Sequence, residues 1–132
     1  METVEKKVLV VDDEMHLRIF ISTVFETNGF TVVTARDGAD GYAKAQEFLP
    51  DLVTLDLMMP GEGGIKMYRK LRTDDRLKDV PVIIVSAVED KTFSHSFALI
   101  NAGQAIKVRE PDGYIEKPPT AEKLLAATKG LL

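Results

Sequence analysis

The stretch PDLVTLDLMMPGEGG, Pro50 to Gly64, contains the feature that decides the fold: an apolar run that ends on a single carboxylate. The run extends from Leu52 to Leu55, the carboxylate is Asp56, and a glycine-rich segment follows it. A short run without polar alternation is typical of a strand covered on both faces of a sheet. A buried charge is costly unless other groups pair with it. Either Asp56 lies at a water-exposed strand end, or other parts of the chain supply its partners.

Five short apolar, β-branched runs along the chain are candidate strands. They are Lys7–Val11, Phe30–Ala35, Asp51–Asp56, Val80–Ala87 and the shorter Gly113–Lys117. Three of these runs lack polar alternation, as expected for parallel strands that are covered on both faces.

Helix-length segments with apolar residues at helical spacing alternate with these strands. The second predicted helix opens at Asp37-Gly38 and runs to about Phe48, and the third runs from about Ile65 to Arg72. The fourth begins near Asp90 and the fifth follows Thr120. The residues expected to face inward are Leu17, Phe20, Ile21, Val24 and Phe25 in the first helix, Ile65, Tyr68 and Leu71 in the third, Phe93, Phe97 and Ile100 in the fourth, and Leu124, Leu125 and Thr128 in the fifth.

Strict alternation of strands and helices, joined by right-handed crossovers, predicts a doubly wound three-layer α/β domain. Ligands in such folds bind beyond the carboxyl ends of the strands. The 132 residues, 45% of them hydrophobic, fit a single domain, 1–132. The chain stops soon after the fifth predicted helix, so we expect no appended effector domain.

Charge and composition exclude several classes of protein. A formal net charge of −4 gives no electrostatic reason to expect nucleic acid or an anionic membrane as a partner. There is no cysteine, so disulfides and thiolate metal sites are excluded. The N-terminal METVEKK has no apolar core of a signal peptide, and no apolar run reaches the ~20 residues of a membrane span. We expect a soluble, cytoplasmic protein that binds neither DNA nor membranes.

Polar residues stand where the predicted strands end. They are Asp12 and Asp13 after the first strand, Asp56 after the third, Ser86 after the fourth and Lys117 with Pro118 after the fifth. Parallel strands in one sheet would bring all of these residues to one edge. Three crowded carboxylates repel one another and need a cation or protonation. Oxygen ligands without His or Cys favour a hard divalent ion, and a site that keeps several waters suits Mg²⁺ better than Ca²⁺.

A carboxylate beside Mg²⁺ also has what attack on phosphorus requires. Aspartyl-phosphate chemistry uses a carboxylate as the nucleophile. The metal and an ammonium from Lys117 would neutralise phosphoryl oxygens, and the Ser86 hydroxyl would donate to another. On this interpretation Asp56 is the reacting group, and its partners come from the other strand ends.

The motifs VLVVDDE, LVTLDLMMPGEGG, VIIVSA and YIEKPP occur in this order and cover almost the whole chain. Together they resemble the receiver (phosphoacceptor) domain of two-component response regulators, of the chemotaxis-type single-domain kind. The resemblance implies a flavodoxin-like (βα)5 fold with a five-stranded parallel sheet in the order 2-1-3-4-5. It also implies that Asp56 is the phosphoacceptor. The implied Mg²⁺ ligands are Asp12, Asp13, Asp56 and the backbone carbonyl of Met58.

The same resemblance implies roles at the last two strands. Lys117 would contact the phosphoryl group, and its peptide bond to Pro118 is expected to be cis. Ser86 matches the switch hydroxyl. Tyr114 matches the switch aromatic, which would turn inward when Ser86 moves toward the phosphate.

The implied function is signalling rather than enzymatic turnover of an external substrate. A sensor histidine kinase or phosphotransfer protein would supply the phosphoryl group. The face formed by the fourth helix, the fifth strand and the fifth helix would then change its contacts with a downstream protein, the chain being a monomer or weak dimer. One alternative is a phosphorylation-independent interaction module with the same fold. Another is a haloacid-dehalogenase-like phosphatase, but that family needs a second Asp where this chain has Met58.

Several features depart from the family pattern or have a plainer interpretation. The connection before the last strand, about 103–112, is longer than usual, and Glu62–Gly64 is expected to loosen the loop after Asp56. Asp13 has an alternative role as the cap of the first helix. A solvated helix face is the interpretation of one basic cluster, Lys66, Arg69, Lys70 and Arg72.

Overall fold

The computed structural model describes residues 5–59, 63–89, 92 and 101–132. Within these residues a single five-stranded sheet forms the centre of the domain, and all of its neighbouring strands pair in parallel. The strands are β1 (Lys7–Val11), β2 (Thr31–Ala35), β3 (Leu52–Leu55), β4 (Val82–Ser86) and β5 (Gly113–Glu116). Their order, β2-β1-β3-β4-β5, confirms the predicted doubly wound, flavodoxin-like fold.

Four helices are described in full. They are α1 (Met15–Thr27), α2 (Gly38–Phe48), α3 (Gly64–Thr73) and α4 (Ala121–Thr128), the last being the fifth of the predicted series. The predicted helix that begins near Asp90, with Phe93, Phe97 and Ile100, falls on positions that lie outside the described residues except for Thr92. No helix in the described ranges is both long enough and apolar enough to cross a membrane.

The sheet separates two apolar cores. Val8 and Val10 of β1 pack with α1 and α4, whereas Leu9 and Val11 pack with α2 and α3. Successive side chains of a strand point to opposite faces, so one run of four apolar residues serves both cores. All four are at most 1% exposed. The absence of polar alternation in the sequence therefore has its expected cause, a sheet that is covered on both faces.

Capping side chains fix where three of the helices begin. The carboxylate of Glu14 accepts hydrogen bonds from the backbone N–H groups of His16 and Leu17 at the start of α1. Asp37 caps α2 and Thr120 caps α4 in the same way. Because Glu14 is the cap of α1, the alternative role of Asp13 as that cap is wrong.

Two residues expected to face inward are exposed. The buried stripe of α1 is formed by Ile21, Val24 and Phe25, and Phe20 lies at its edge with 39% of its surface exposed. In α3 the buried positions are Gly64, Met67, Tyr68, Leu71 and Arg72. This spacing follows one helix face, and Ile65, 43% exposed, lies beside it.

Arg72 corrects the interpretation of the basic cluster as a solvated face. Its side chain is 2% exposed and its guanidinium lies 2.9 Å from the carboxylate of Asp112. The guanidinium also donates to the carbonyl of Val80 at 2.6 Å and of Lys78 at 3.1 Å, and Nε donates to the Tyr68 hydroxyl at 3.0 Å. A charge pattern alone did not reveal these acceptors, because two are backbone carbonyls, one is a tyrosine hydroxyl and the only acidic one, Asp112, is 40 residues away in the sequence.

Candidate functional site

Asp56 is the first residue after β3 and lies at the carboxyl edge of the sheet. Its backbone N–H donates to the carbonyl of Val11 at 3.0 Å, so the main chain continues the pairing with β1. The residue is 3% exposed. One carboxylate oxygen, Oδ1, accepts from the N–H of Met58 at 3.0 Å, and this bond orients the side chain.

Asp12 occupies the equivalent place after β1. It is 1% exposed, and its Oδ1 accepts from the N–H of Glu14 at 2.9 Å. Burial raises the pKa of Asp12, although the Glu14 N–H and the nearby Lys117 ammonium act in the opposite direction. Asp13, the next residue, is exposed to solvent.

Lys117 forms ion pairs with both buried carboxylates, Asp12 and Asp56. Its Nζ lies 2.9 Å from Asp56 Oδ2 and 3.1 Å from Asp12 Oδ2, and its side chain is 17% exposed. Burial alone would lower the pKa of Lys117, but the hydrogen bonds and charges of Asp56 and Asp12 raise it instead. The ammonium therefore keeps its charge at neutral pH. The peptide bond between Lys117 and Pro118 is cis, as predicted.

Three carboxylates converge at this edge of the sheet. Asp12, Asp13 and Asp56 each offer an oxygen within 4.8 Å of the others. One ammonium does not neutralise three carboxylates. Asp12 Oδ2 is buried, and its partner among the described residues is the Lys117 ammonium at 3.1 Å. Three carboxylates that converge around a single ammonium form a set of oxygen ligands that fits a hard cation such as Mg²⁺.

Ser86 and Tyr114 meet through a third residue, Val88. The N–H of Val88 lies 3.4 Å from Ser86 Oγ, which accepts from it, and the Tyr114 hydroxyl donates to the Val88 carbonyl. Ser86 is fully buried at the end of β4, and its carbonyl accepts from the N–H of Lys117 at 2.8 Å. The structure thus places Ser86 beside the lysine of the cluster and links it to Tyr114.

Gly64 lies directly against the backbone of Asp56. A Cβ atom added at Gly64 would meet the carbonyl oxygen of Asp56 at 2.1 Å and the Cα of Leu57 at 2.6 Å. The Gly64 N–H donates to the Leu57 carbonyl at 3.3 Å. Gly64 therefore packs α3 tightly onto the strand end, which corrects the expectation that this glycine loosens the loop.

Two contacts at the site were not predicted from the sequence. Arg18 donates from Nη1 to the backbone carbonyl of Asp12 at 2.9 Å, and Val88 carries the link between Ser86 and Tyr114. Arg18 binds a backbone carbonyl, and Val88 acts through its own backbone N–H and carbonyl. The residue type therefore did not indicate either contact. The predicted metal ligation by the Met58 carbonyl stays a prediction. The Met58 side chain itself is exposed.

Comparisons with family models, related sequences and solved structures agree on one family. A family model described as the response regulator receiver domain matches residues 8–129. A solved structure of the chemotaxis response regulator CheY4 of Vibrio cholerae superposes with a TM-score of 0.83 at 26% identity. That match covers 98% of this chain and 100% of CheY4.

Longer regulators are similar as well. The phosphate regulon transcriptional regulatory protein PhoB of Pseudomonas aeruginosa is 33% identical over 129 residues, which are 98% of this chain and 52% of PhoB. The DNA-binding response regulator MtrA of Mycobacterium tuberculosis is 33% identical over 132 residues, which are 100% of this chain and 53% of MtrA. The chain therefore spans about half the length of these two relatives.

Proposed function

The chain belongs to the response regulator receiver domain family, and from that premise we propose that Asp56 accepts a phosphoryl group from a histidine kinase or phosphotransfer protein. The observation that carries the proposal is the contact of Lys117 Nζ with both buried carboxylates, at 2.9 Å from Asp56 and 3.1 Å from Asp12. This contact places a charged amine beside the one carboxylate that ends the central strand β3. The match over residues 8–129 confirms the resemblance predicted from the strand-end motifs.

Phosphoryl transfer to Asp56 exchanges one bond to phosphorus for another. The bond between phosphorus and an imidazole nitrogen of the donor histidine breaks as an oxygen of Asp56 bonds to phosphorus. Lys117 Nζ lies 2.9 Å from Asp56 Oδ2 and so helps to orient this oxygen at the edge of the sheet. As the phosphoryl oxygens approach, the same ammonium is available to pair with them.

Mg²⁺ is the cofactor that the acidic cluster supports. Asp12, Asp13 and Asp56, with the backbone carbonyl of Met58, would hold it. When bound, it neutralises phosphoryl oxygens and so reduces their repulsion from the carboxylates. The charge balance of the cluster supports this assignment, because one ammonium faces three carboxylates and a divalent cation would offset the remaining negative charge.

The phosphodonor is a protein, and exposed apolar residues beside the site support this. Met15, Ile19 and Phe20 lie on the first turns of α1, immediately after the Asp12–Glu14 segment, and Met58 follows Asp56 by two residues. All four side chains are exposed. Large apolar side chains around a polar centre are typical of a surface that another protein covers.

Phosphorylation would act as a switch through a shift between two conformations. The new charge at Asp56 must interact more favourably with one arrangement of Ser86, Val88 and Tyr114 than with the other. A difference of about 1 to 3 kcal/mol is enough for a useful bias. The output is a change in protein contacts on the face that includes β5 and α4, and the chain assists only its own phosphorylation and dephosphorylation.

DNA binding is not part of the proposal. PhoB and MtrA are described as a transcriptional regulator and a DNA-binding regulator, and each is about twice as long as this chain. The net charge of −4 gives the chain itself no electrostatic attraction to nucleic acid.

Incubation with acetyl phosphate and Mg²⁺ tests the proposal. We expect intact-mass spectra to show one added phosphoryl group on the wild-type chain, and none on Asp56→Asn or after removal of Mg²⁺ by a chelator. Asp75→Asn is the matched control, because Asp75 is an exposed carboxylate just after α3. Labelling of Asp56→Asn at the wild-type level would contradict the proposal. A wild-type chain that is never labelled would favour the phosphorylation-independent module.

A further inference from the structure

An open groove runs along α3 and is here named the α3 groove. Its volume is about 860 Å³, and five residues of α3 between Ile65 and Thr73 line it. Gln104 and Ile106, in the longer connection before β5, form another part of its wall. Leu57 also lines the groove, which therefore begins close to Asp56. Concave surfaces of this size are typical of binding sites.

The connection that completes the groove is held in place by α3. Arg69 donates to the side-chain oxygen of Asn101 at 3.2 Å and to the Ile106 carbonyl at 2.7 Å. Asn101 donates from Nδ2 to the carbonyl of buried Val108 at 2.8 Å, and its Oδ1 accepts from the Val108 N–H at 2.8 Å. These bonds fix the backbone on both sides of Ile106. The groove is therefore formed before a ligand binds, and the ligand does not have to order this wall.

Apolar side chains are exposed within the α3 groove. Ile106 is 61% exposed and Ile65 is 43% exposed, and both line the groove. Leu57 adds an apolar residue that is buried. Large exposed apolar side chains in one concave surface are typical of a surface that another molecule covers. The groove therefore favours a ligand that has apolar groups of its own.

The charged residues that line the groove are all basic, among those that the structure describes. They are Lys66, Arg69 and Lys70. Their spacing of three and four residues places them on one side of α3. The chain as a whole has a formal net charge of −4, so the charge of this surface is opposite in sign to that of the chain. Charge complementarity therefore favours a ligand that carries negative charge.

Apolar groups beside positive charge favour an acidic protein segment over other anionic ligands. A small inorganic anion would leave Ile65 and Ile106 exposed. Nucleic acid binding depends on many phosphate contacts, and the net charge of the chain opposes it. A segment that carries both carboxylates and apolar side chains complements the whole groove.

We propose that the α3 groove binds an acidic, amphipathic segment of a partner protein. Apolar side chains of the segment cover Ile65 and Ile106, and its carboxylates face Lys66 and Lys70. None of the described lining residues belongs to the surface assigned to the phosphodonor or to β5 and α4. The interaction goes beyond the function proposed above, because it requires no phosphoryl group at Asp56.

Selection of peptides from a phage-displayed random library on the wild-type chain tests the proposal. We expect the enriched peptides to combine Asp and Glu with large apolar residues. Fluorescence anisotropy of labelled synthetic copies measures their dissociation constants, and amide shifts in ¹H–¹⁵N spectra should map the contact to residues 65–73 and 104–106. Asp56→Asn should bind the same peptides equally well, which separates this test from that of phosphoryl transfer.

Lys66→Glu should weaken binding of these peptides at least about tenfold, because it places like charges opposite each other. Ile106→Ser should weaken binding about fivefold or more, because it removes an apolar contact at an exposed position. Lys129→Glu, at an exposed position after α4, is the matched control and should leave binding unchanged. Thermal melts show that each measured variant is folded. A library that yields no peptide, or peptides that bind Lys66→Glu and Ile106→Ser as tightly as wild type, would overturn the proposal.

Discussion

Lys117→Met is expected to lower the free energy of unfolding by about 3 to 5 kcal/mol, the usual cost of removing one partner of a buried ion pair. The ammonium lies within 3.1 Å of both Asp12 and Asp56, and these residues are 1% and 3% exposed. Methionine fills a similar volume without charge, so two buried carboxylates would be left without their cation. Urea unfolding in a chelating buffer measures the change.

Mg²⁺ provides a specific signature for this variant. With the ammonium removed, a divalent cation has no competing positive charge at the acidic cluster, so Mg²⁺ should restore much of the lost stability. Phosphoryl incorporation from acetyl phosphate should still fall by about 100-fold or more, since a charged group that faces the transferred phosphoryl oxygens is missing. Lys123→Met, at an exposed position on α4, is the control. Wild-type labelling rates in Lys117→Met would contradict the role given to the amine.

Gly64→Ala is expected to destabilise the fold by about 3 kcal/mol or more, or to prevent folding. The new methyl group would lie 2.1 Å from the Asp56 carbonyl oxygen and 2.6 Å from the Cα of Leu57. Both are backbone atoms, so no side-chain rotation relieves the overlap. Relief requires α3 to move away from the strand end, which would also displace the acceptor segment.

The neighbouring glycine supplies the control for this substitution. A methyl group at Gly63 would meet its nearest atom, the Met59 carbonyl oxygen, at an ordinary 3.5 Å. The backbone of Gly63 is extended, with φ at −77°, so alanine is compatible with it. Thermal and urea unfolding of both variants measure the difference. Equal stability of the two variants would show that the contact between α3 and Asp56 is less tight than described.

The fold was predictable because hydrophobic pattern and strand-end chemistry agree. Four apolar residues of β1 pack alternately into two cores. Because both faces of the strand are buried, its sequence is an unbroken apolar run. Parallel pairing then brings the strand ends to one edge, so Asp12, Asp56 and Lys117 could be predicted to meet without any contact information. Residue type and order along the chain were therefore enough to predict the cluster at this edge.

Other contacts were not predictable, because they depend on backbone atoms and on three-dimensional packing that residue type does not indicate. In the sequence Arg72 is one of several basic residues of a helix. In the structure it is buried, and its acceptors include two backbone carbonyls in the turn before β4 and the Asp112 carboxylate. The sequence placed Gly64 in a loose loop, because nothing in it indicates that the backbone of Asp56 and Leu57 lies against this glycine. The connection before β5, residues 101–112, was visible in the sequence only as extra length. Its conformation depends on hydrogen bonds between Asn101 and Val108, residue types that are common in unrelated roles.

The central claim is that Asp56, and no other carboxylate of the acidic cluster, carries the phosphoryl group. Site mapping tests it directly: the wild-type chain is phosphorylated in Mg²⁺, the acyl phosphate is reduced with borohydride, and the peptides are sequenced by tandem mass spectrometry. We predict that the reduced residue, homoserine, is found at position 56 alone. Homoserine at Asp12 or Asp13, or a phosphoryl group found on another residue type, would contradict the assignment.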